Sequence, residues 1–438
     1  MVSSAHRRKP AAGHSPRRLP VIRANRARMR REFDAQARIG RYGKTGLARA
    51  AFTPEYNEVR SLVAGWMAKA GLRTRVDAVG NLFGRKAGTW RDRPVVMTGS
   101  HLDTQRPGGR FDGIAGVLAG LEAVRGIVET DARHDHPIEV VAFIGEESSC
   151  GLNCFGSRVL VGRLGVDAMR AAVHPPSGRS VYQAVRDAGG NPSLTRQCIL
   201  PRGYVKAFVE LHIEQGPVLD SKGFPIGVVD VIAGRRWGEI VFDGVTAHSG
   251  GQPMALRKDA GMAAAELMVE AEAVARRESG RSRATLTFGE IAFTPGWISI
   301  IPGHARVSFD LRATSDAGLD RVVKGIERLL LRIRRERGVT GRLVIKGTIS
   351  PVLASPGICR TIREAADALG HRWVTVASGG LHDACQLAAL APVGMVFVPS
   401  VRGLSHTPAE LTSMADLARG AETLAGSLLR LSQSEVRA

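Results

Sequence analysis

Cysteine is scarce in this chain: five among 438 residues, at Cys150, Cys154, Cys198, Cys359 and Cys385. Thiols so few, so scattered and odd in number exclude a disulfide-built scaffold, and a cytoplasmic, reducing location is expected. No run of about 18 uninterrupted apolar residues occurs, so no membrane-spanning helix is expected. Acids are missing from residues 1–31, where ten Lys and Arg fall, half of the formal net charge of +20. That stretch lacks the apolar segment of a secretory signal and reads as a solvated, disordered basic tail, with a nucleic-acid-binding arm as the sharper alternative. It also lacks aromatic residues, so it has no platform on which bases stack.

What is present is an ordinary globular composition, 44% hydrophobic and 23% charged, in a chain long enough for two or three domains. Residues 53–70 read as a helix: Thr53 can cap it, Pro54 suits its first turn, and Val59, Leu62, Val63, Trp66 and Met67 share a face. Short apolar strands at 94–98, 138–144, 205–213 and 393–398 alternate with helices at 113–128 and 383–390. The alternation predicts an α/β fold with a mostly parallel, doubly wound sheet. Between 234 and 348 the pattern changes. Strand 236–243, helix 257–278, strands 284–292 and 304–312, helix 316–337 and strand 342–348 give the order βαββαβ, a ferredoxin-like α+β unit inserted whole. In its second helix Leu319, Val322, Val323, Ile326, Leu329, Leu330 and Ile333 keep helical spacing, with Asp316 at the start and Gly338 at the stop. The expected division is a tail over 1–31, a catalytic domain over 32–233 and 349–438, and an inserted unit over 234–348.

Ligand-type side chains fall at strand ends. Strand 94–98 runs into GSHLDT, placing His101 and Asp103 beyond its carboxyl end; strand 138–144 runs into Glu146 and Glu147. Strand 205–213 carries His212 near its end, and strand 393–398 leads to His406. Asp112 opens the helix after GGRFDG. Sites in parallel sheets form at these edges. Each residue alone has a plainer reading: Asp112 as a helix cap, His101 or His406 as a loop histidine, Glu146-Glu147 as a surface pair, His212 pointing outward. Five such coincidences at one sheet edge favour a shared site. Histidine and carboxylate together suit two divalent metal ions, zinc, manganese, cobalt or nickel rather than calcium. Asp112 could bridge them, one of the adjacent glutamates could hold metal while the other accepts a proton from water, and Asp103 could orient the imidazole of His101.

The motifs GSHLDT (99–104), GGRFDGIAGVLAGLEAV (108–124), ELHIEQGPVLD (210–220), AHSGGQPMALRKDAG (247–261) and FVPSVRGLSHTPAE (397–410) resemble those of the hydantoinase/carbamoylase-type amidases. This group belongs to the dinuclear metallohydrolases that include aminoacylases and carboxypeptidase G. The resemblance runs from about residue 30 to the C-terminus. It implies one metal on His101, Asp112 and His212, a second on Asp112, Glu147 and His406, and Glu146 as general base. It implies a homodimer formed through the inserted unit, with His248 reaching substrate in the partner subunit, and substrate contacts from Gln215, Ser299 and Arg312. Read from the sequence alone, Arg312 is equally an ion-pair partner. Three positions depart from the family pattern: Cys150 where arginine is usual, Ser299 where asparagine is usual, and Leu381 where glycine is usual. They alter the expected grip on substrate and leave the metal set intact.

The expected activity is hydrolysis of a linear, non-peptide C–N bond in a small carbamoyl or ureido substrate, first an N-carbamoyl-L-amino acid. Allantoate-type ureido compounds come next, then aminoacylase or dipeptidase substrates. A nucleic-acid binder on an old hydrolase fold and a pseudoenzyme that binds without turnover are the rivals from other classes.

Overall fold

The computed structural model describes residues 19–433. Its centre is a nine-stranded sheet. The strands Val95–His101, Ile138–Phe143, Val205–Ile213 and Val393–Val398 form the middle, all parallel to one another. They are almost wholly buried on both faces, which is why they read as near-continuous Val, Ile and Leu runs instead of alternating. Antiparallel strands extend the sheet, Leu82–Lys86 and Arg73–Val76 on one side and Ile226–Ile232 on the other. Helices Ile114–Glu129, Pro356–Ala368 and Met414–Gln433 pack against the sheet and one another. The expected α/β class with a parallel centre is what the chain adopts. Among the described residues, no helix is long and apolar enough to cross a membrane.

A second sheet of five strands carries its own core. Its order is Thr285–Thr287, His304–Ala313, Gly234–Asp243 and Thr340–Ile349, all antiparallel, with Ile291–Thr294 also paired to His304–Ala313. Helices Ala260–Ser282 and Asp316–Arg337 pack together over it. The second of these buries Leu319, Val322, Val323, Ile326, Leu330 and Ile333, each contributing up to about 1.5–3 kcal/mol. It starts at Asp316 as expected, with the Ser315 hydroxyl as its cap, accepting the Gly318 N–H. Its stop is Gly338 at φ 62°. The single strand expected over 284–292 is broken into Thr285–Thr287 and Ile291–Thr294, which pair with His304–Ala313 one residue out of register, the Ser308 hydroxyl accepting the Glu290 N–H between them. The expected helix 383–390 shortens to Ala384–Leu387.

The basic tail expected over 1–31 is not what residues 19–31 form. Residues 1–18 lie outside the described residues. From there the chain is packed: Asn25 caps the helix Arg26–Gln36, which buries Met29 and Phe33. Arg28 forms ion pairs with Glu122 and Glu129, and Arg23 with Glu422. Partners distant in sequence therefore consume charges that looked solvated.

Candidate metal centre

The four parallel strands end at one edge, and the expected ligands gather there. His101 is the last residue of its strand, not a residue beyond it. His212 is 1% exposed; the outward-pointing reading fails because its ring packs among those of His101, His382 and Phe397. His101 Nδ1 lies 2.9 Å from the Asp103 carbonyl oxygen and His212 Nδ1 2.8 Å from the Ile213 carbonyl oxygen. A carbonyl only accepts, so each ring donates there and turns the Nε2 lone pair toward the cavity.

Asp112 is central. Its Oδ1 lies 3.1 Å from His212 Nε2 and 3.8 Å from His101 Nε2, while its Oδ2 lies 3.1 Å from His406 Nε2. Glu147 Oε1 is 3.5 Å from the same His406 nitrogen. The two oxygens of one carboxylate thus face two donor sets: His101, Asp112 and His212, and Asp112, Glu147 and His406. Asp112 does not cap its helix, whose N-cap is Gly113 at φ 66°. A Cβ at Gly113 would lie 2.3 Å from the His101 ring, so this turn needs glycine.

Electrostatics show what the cluster suits. Burial works to raise the Asp112 carboxyl, but the imidazoles of His212 and His406 outweigh it and hold it well below the usual range. Burial and the neighbouring carboxylates push Glu146 and Glu147 well above theirs. Glu147 Oε1 is buried with no hydrogen-bond partner, which costs about 1–3 kcal/mol unless something cationic meets it. Crowded carboxylates, three inward nitrogen lone pairs and one orphaned oxygen fit divalent cations.

Asp103 acts differently from the expectation. Its carboxylate is 3.9 Å from His101 Nδ1. It accepts the backbone N–H of Gly145 (2.9 Å), Glu146 (3.3 Å) and Glu147 (3.0 Å), so it fixes the glutamate loop, and its main chain orients His101. Glu146 Oε2 stands 3.8 Å from His101 Nε2. The Gln215 amide donates to Asp112 Oδ2 at 3.1 Å. Gln215 and His406 both adopt left-handed backbone, at φ 56° and 55°, strain of the kind that collects at functional sites.

Arg312 lines the same cavity, about 250 Å³ in volume, and so does Arg235. Both guanidinium groups bond Asp310, and Arg312 also donates to the Gly379 carbonyl at 2.6 Å. The ion-pair reading of Arg312 and its place at the cavity therefore hold together. His248 and Ser299 lie elsewhere. Both are exposed, His248 on the segment Ala247–His248 and Ser299 just before its partner segment Ile300–Ile301. Cys150 is buried and donates to the Leu152 carbonyl at 2.9 Å. Leu381 lines the cavity without a left-handed φ, so its backbone makes no demand for glycine.

One contributor was missed by sequence reasoning. Glu410 accepts the N–H groups of Phe111 (2.8 Å) and Asp112 (3.0 Å) and the Ser405 hydroxyl (2.7 Å). It ties the Asp112 turn to the residue preceding His406. Burial, with Asp112 nearby, raises its carboxyl to about 7. Its only sequence signal was its place in the stretch after His406.

A model of the peptidase family M20/M25/M40 matches residues 97–430. An N-carbamoyl-L-amino acid amidohydrolase of Geobacillus stearothermophilus is 40% identical over 398 residues, covering 91% of this chain and 96% of that protein. The allantoate amidohydrolase of Escherichia coli is 34% identical, covering 88% and 93%. A crystal structure of a hydantoinase/carbamoylase family amidase from Burkholderia multivorans superposes with a TM-score of 0.86 at 34% identity, covering 95% of this chain and all of that one.

Proposed function

The chain belongs to the peptidase family M20/M25/M40, and on that premise we propose that it is a metal-dependent hydrolase of N-carbamoyl-L-amino acids. It acts on C–N bonds other than peptide bonds, as its relatives' names describe. The observation that carries the reading is the division of the Asp112 carboxylate between two donor sets. A second reading, an allantoate-type ureido compound, is favoured by the relative of that activity. Five free, buried cysteines support a reducing, cytoplasmic setting.

His101, Asp112 and His212 would hold one cation and Asp112, Glu147 and His406 the other; bound there, zinc, manganese, cobalt or nickel would polarise the carbamoyl oxygen and ease ionisation of water. Glu146 takes the proton from the attacking water and hands it to the leaving nitrogen. Its carboxyl is already pushed up by burial and by Glu147, which suits a proton carrier. Arg312, with Arg235 beside it, grips the substrate carboxylate, and the Gln215 amide positions its ureido oxygen. The products are the amino acid, carbon dioxide and ammonia. Asp103 holds Glu146 and Glu147 by their main chain.

We also propose a homodimer through the inserted unit. His248 is exposed, and Gly250 and Gly251 donate to its Nδ1, leaving Nε2–H free as a donor for a substrate oxyanion in the partner subunit. Met254 (76% exposed), Trp297 (70%) and Ile298 (103%) stand on neighbouring segments as apolar side chains that a second copy would cover.

The test is a substrate panel of carbamoyl amino acids, allantoate and dipeptides, run with each of the four metals. Release of ammonia from carbamoyl amino acids, absent without metal, is expected; turnover of allantoate alone would move the assignment to the second reading.

A further inference from the structure

A larger cavity, about 720 Å³, adjoins the metal cavity, and Asn153 and Leu381 line both. Trp237 and Ile349 come to its walls from the second sheet, Cys385 and Ala389 from the helix Ala384–Leu387 and the turn after it. Two cations face it, Arg158 and Arg163. Arg158 Nη1 donates to the Asn153 carbonyl at 3.5 Å and Arg163 Nη1 to Gln386 Oε1 at 3.1 Å. Among the described residues neither takes part in an ion pair, and no Asp or Glu lines this cavity. Two guanidinium groups without a carboxylate, over apolar walls, describe a receptor for an anion carried on a hydrocarbon chain. The metal cavity, about 250 Å³, is below the usual size of a whole ligand site, about 300–1,000 Å³, and the adjoining cavity gives a larger substrate room to extend outward. Leu381 and Asn153 stand where the two spaces meet, so a side chain leaving the metal cavity passes between them.

Resting on the proposed carbamoylase activity, we infer that this cavity is the side-chain subsite, built for an N-carbamoyl amino acid with a side chain ending in a carboxylate. The reacting ureido group occupies the metal cavity, its α-carboxylate meets Arg312, and the side chain passes Asn153 and Leu381 to Arg158 and Arg163.

Hydrolysis of N-carbamoyl-L-glutamate, N-carbamoyl-L-norvaline and N-carbamoylglycine is compared in the metal-loaded wild type and in Arg158→Met/Arg163→Met. The wild type is expected to prefer the glutamate over the equally long apolar norvaline by at least about tenfold in kcat/KM. The double variant should lose that preference through KM and keep its rate on the glycine compound. Calorimetric binding of glutarate, a diacid with no scissile bond, reads the subsite independently of turnover. Equal or better use of norvaline, or a preference untouched by the double substitution, overturns the subsite while leaving the carbamoylase reading intact. Glutarate binding lost in the double variant, with no carbamoyl compound cleaved, overturns the carbamoylase reading and keeps the anion subsite.

Discussion

Of the three carboxylates lining the cavity, Asp112, Glu146 and Glu147, only Glu146 belongs to neither donor set, yet it stands 3.8 Å from His101 Nε2. Glu146→Gln is expected to keep full metal content, measured by elemental analysis, while turnover falls about 10²–10⁴-fold. Near-normal turnover would remove it from the proton-carrying role. Glu410 touches no donor atom directed at metal, yet two of its bonds hold the Asp112 turn. Glu410→Ala should therefore weaken metal retention by about 10–100-fold, read as faster loss to a chelator with the fold unchanged by circular dichroism. The gathering of His101, Asp112, Glu147, His212 and His406 was legible because parallel strands deliver their ends to one edge. The work of Asp103 was not. From the sequence it stands two residues from His101, and only the folded loop shows its carboxylate turned away, toward three N–H groups of another strand's end.

Elements with a strong period were the most readable. The helix Asp316–Arg337 appears with the expected bounds because its apolar spacing is helical throughout; the segment 19–31 was misread because its partners Glu122 and Glu422 lie far along the chain. The two helices of the inserted unit are tied by Glu278, which accepts from Arg321 and Ser282. Arg321 foremost, then Ser282, hold its carboxyl down at about 2. A carboxylate lowered in the folded state stabilises fully above its ordinary value and loses that contribution as pH falls toward its folded value. The thermal-midpoint gap between wild type and Glu278→Gln should therefore be widest near about pH 6 and narrow as pH drops from about 4.5 toward 2. A gap indifferent to pH would show that the tie carries no linked proton. The central strands leave no such latitude: a Cβ at Gly99, φ 146°, would lie 1.8 Å from the Val141 oxygen, so the strand ending in His101 must carry glycine there.

At the scale of the molecule, each cluster is complete in one chain but for the contact assigned to His248. Glu146→Gln and His248→Ala, each nearly inactive alone, should recover part of the wild-type rate when mixed, since one hybrid site then carries both native groups. Mixtures no better than their components would argue that each site works alone. The second cavity was not legible in the sequence, because it depends on how the two sheets face each other.

That relation passes through a narrow joint. The chain leaves the central sheet at Ile226–Ile232 and enters the second at Gly234; it returns through Ile349 to Val352. Arg235 pairs with Ile349 and Val352 with Ile232, so exit and return run side by side. A guest whose two ends already touch imposes almost no closure cost on its host. A short turn joining Ile232 to Val352 should let the main sheet fold with the guest removed, and an evolving lineage could exchange that module without redrawing the edge where His101 and His212 meet.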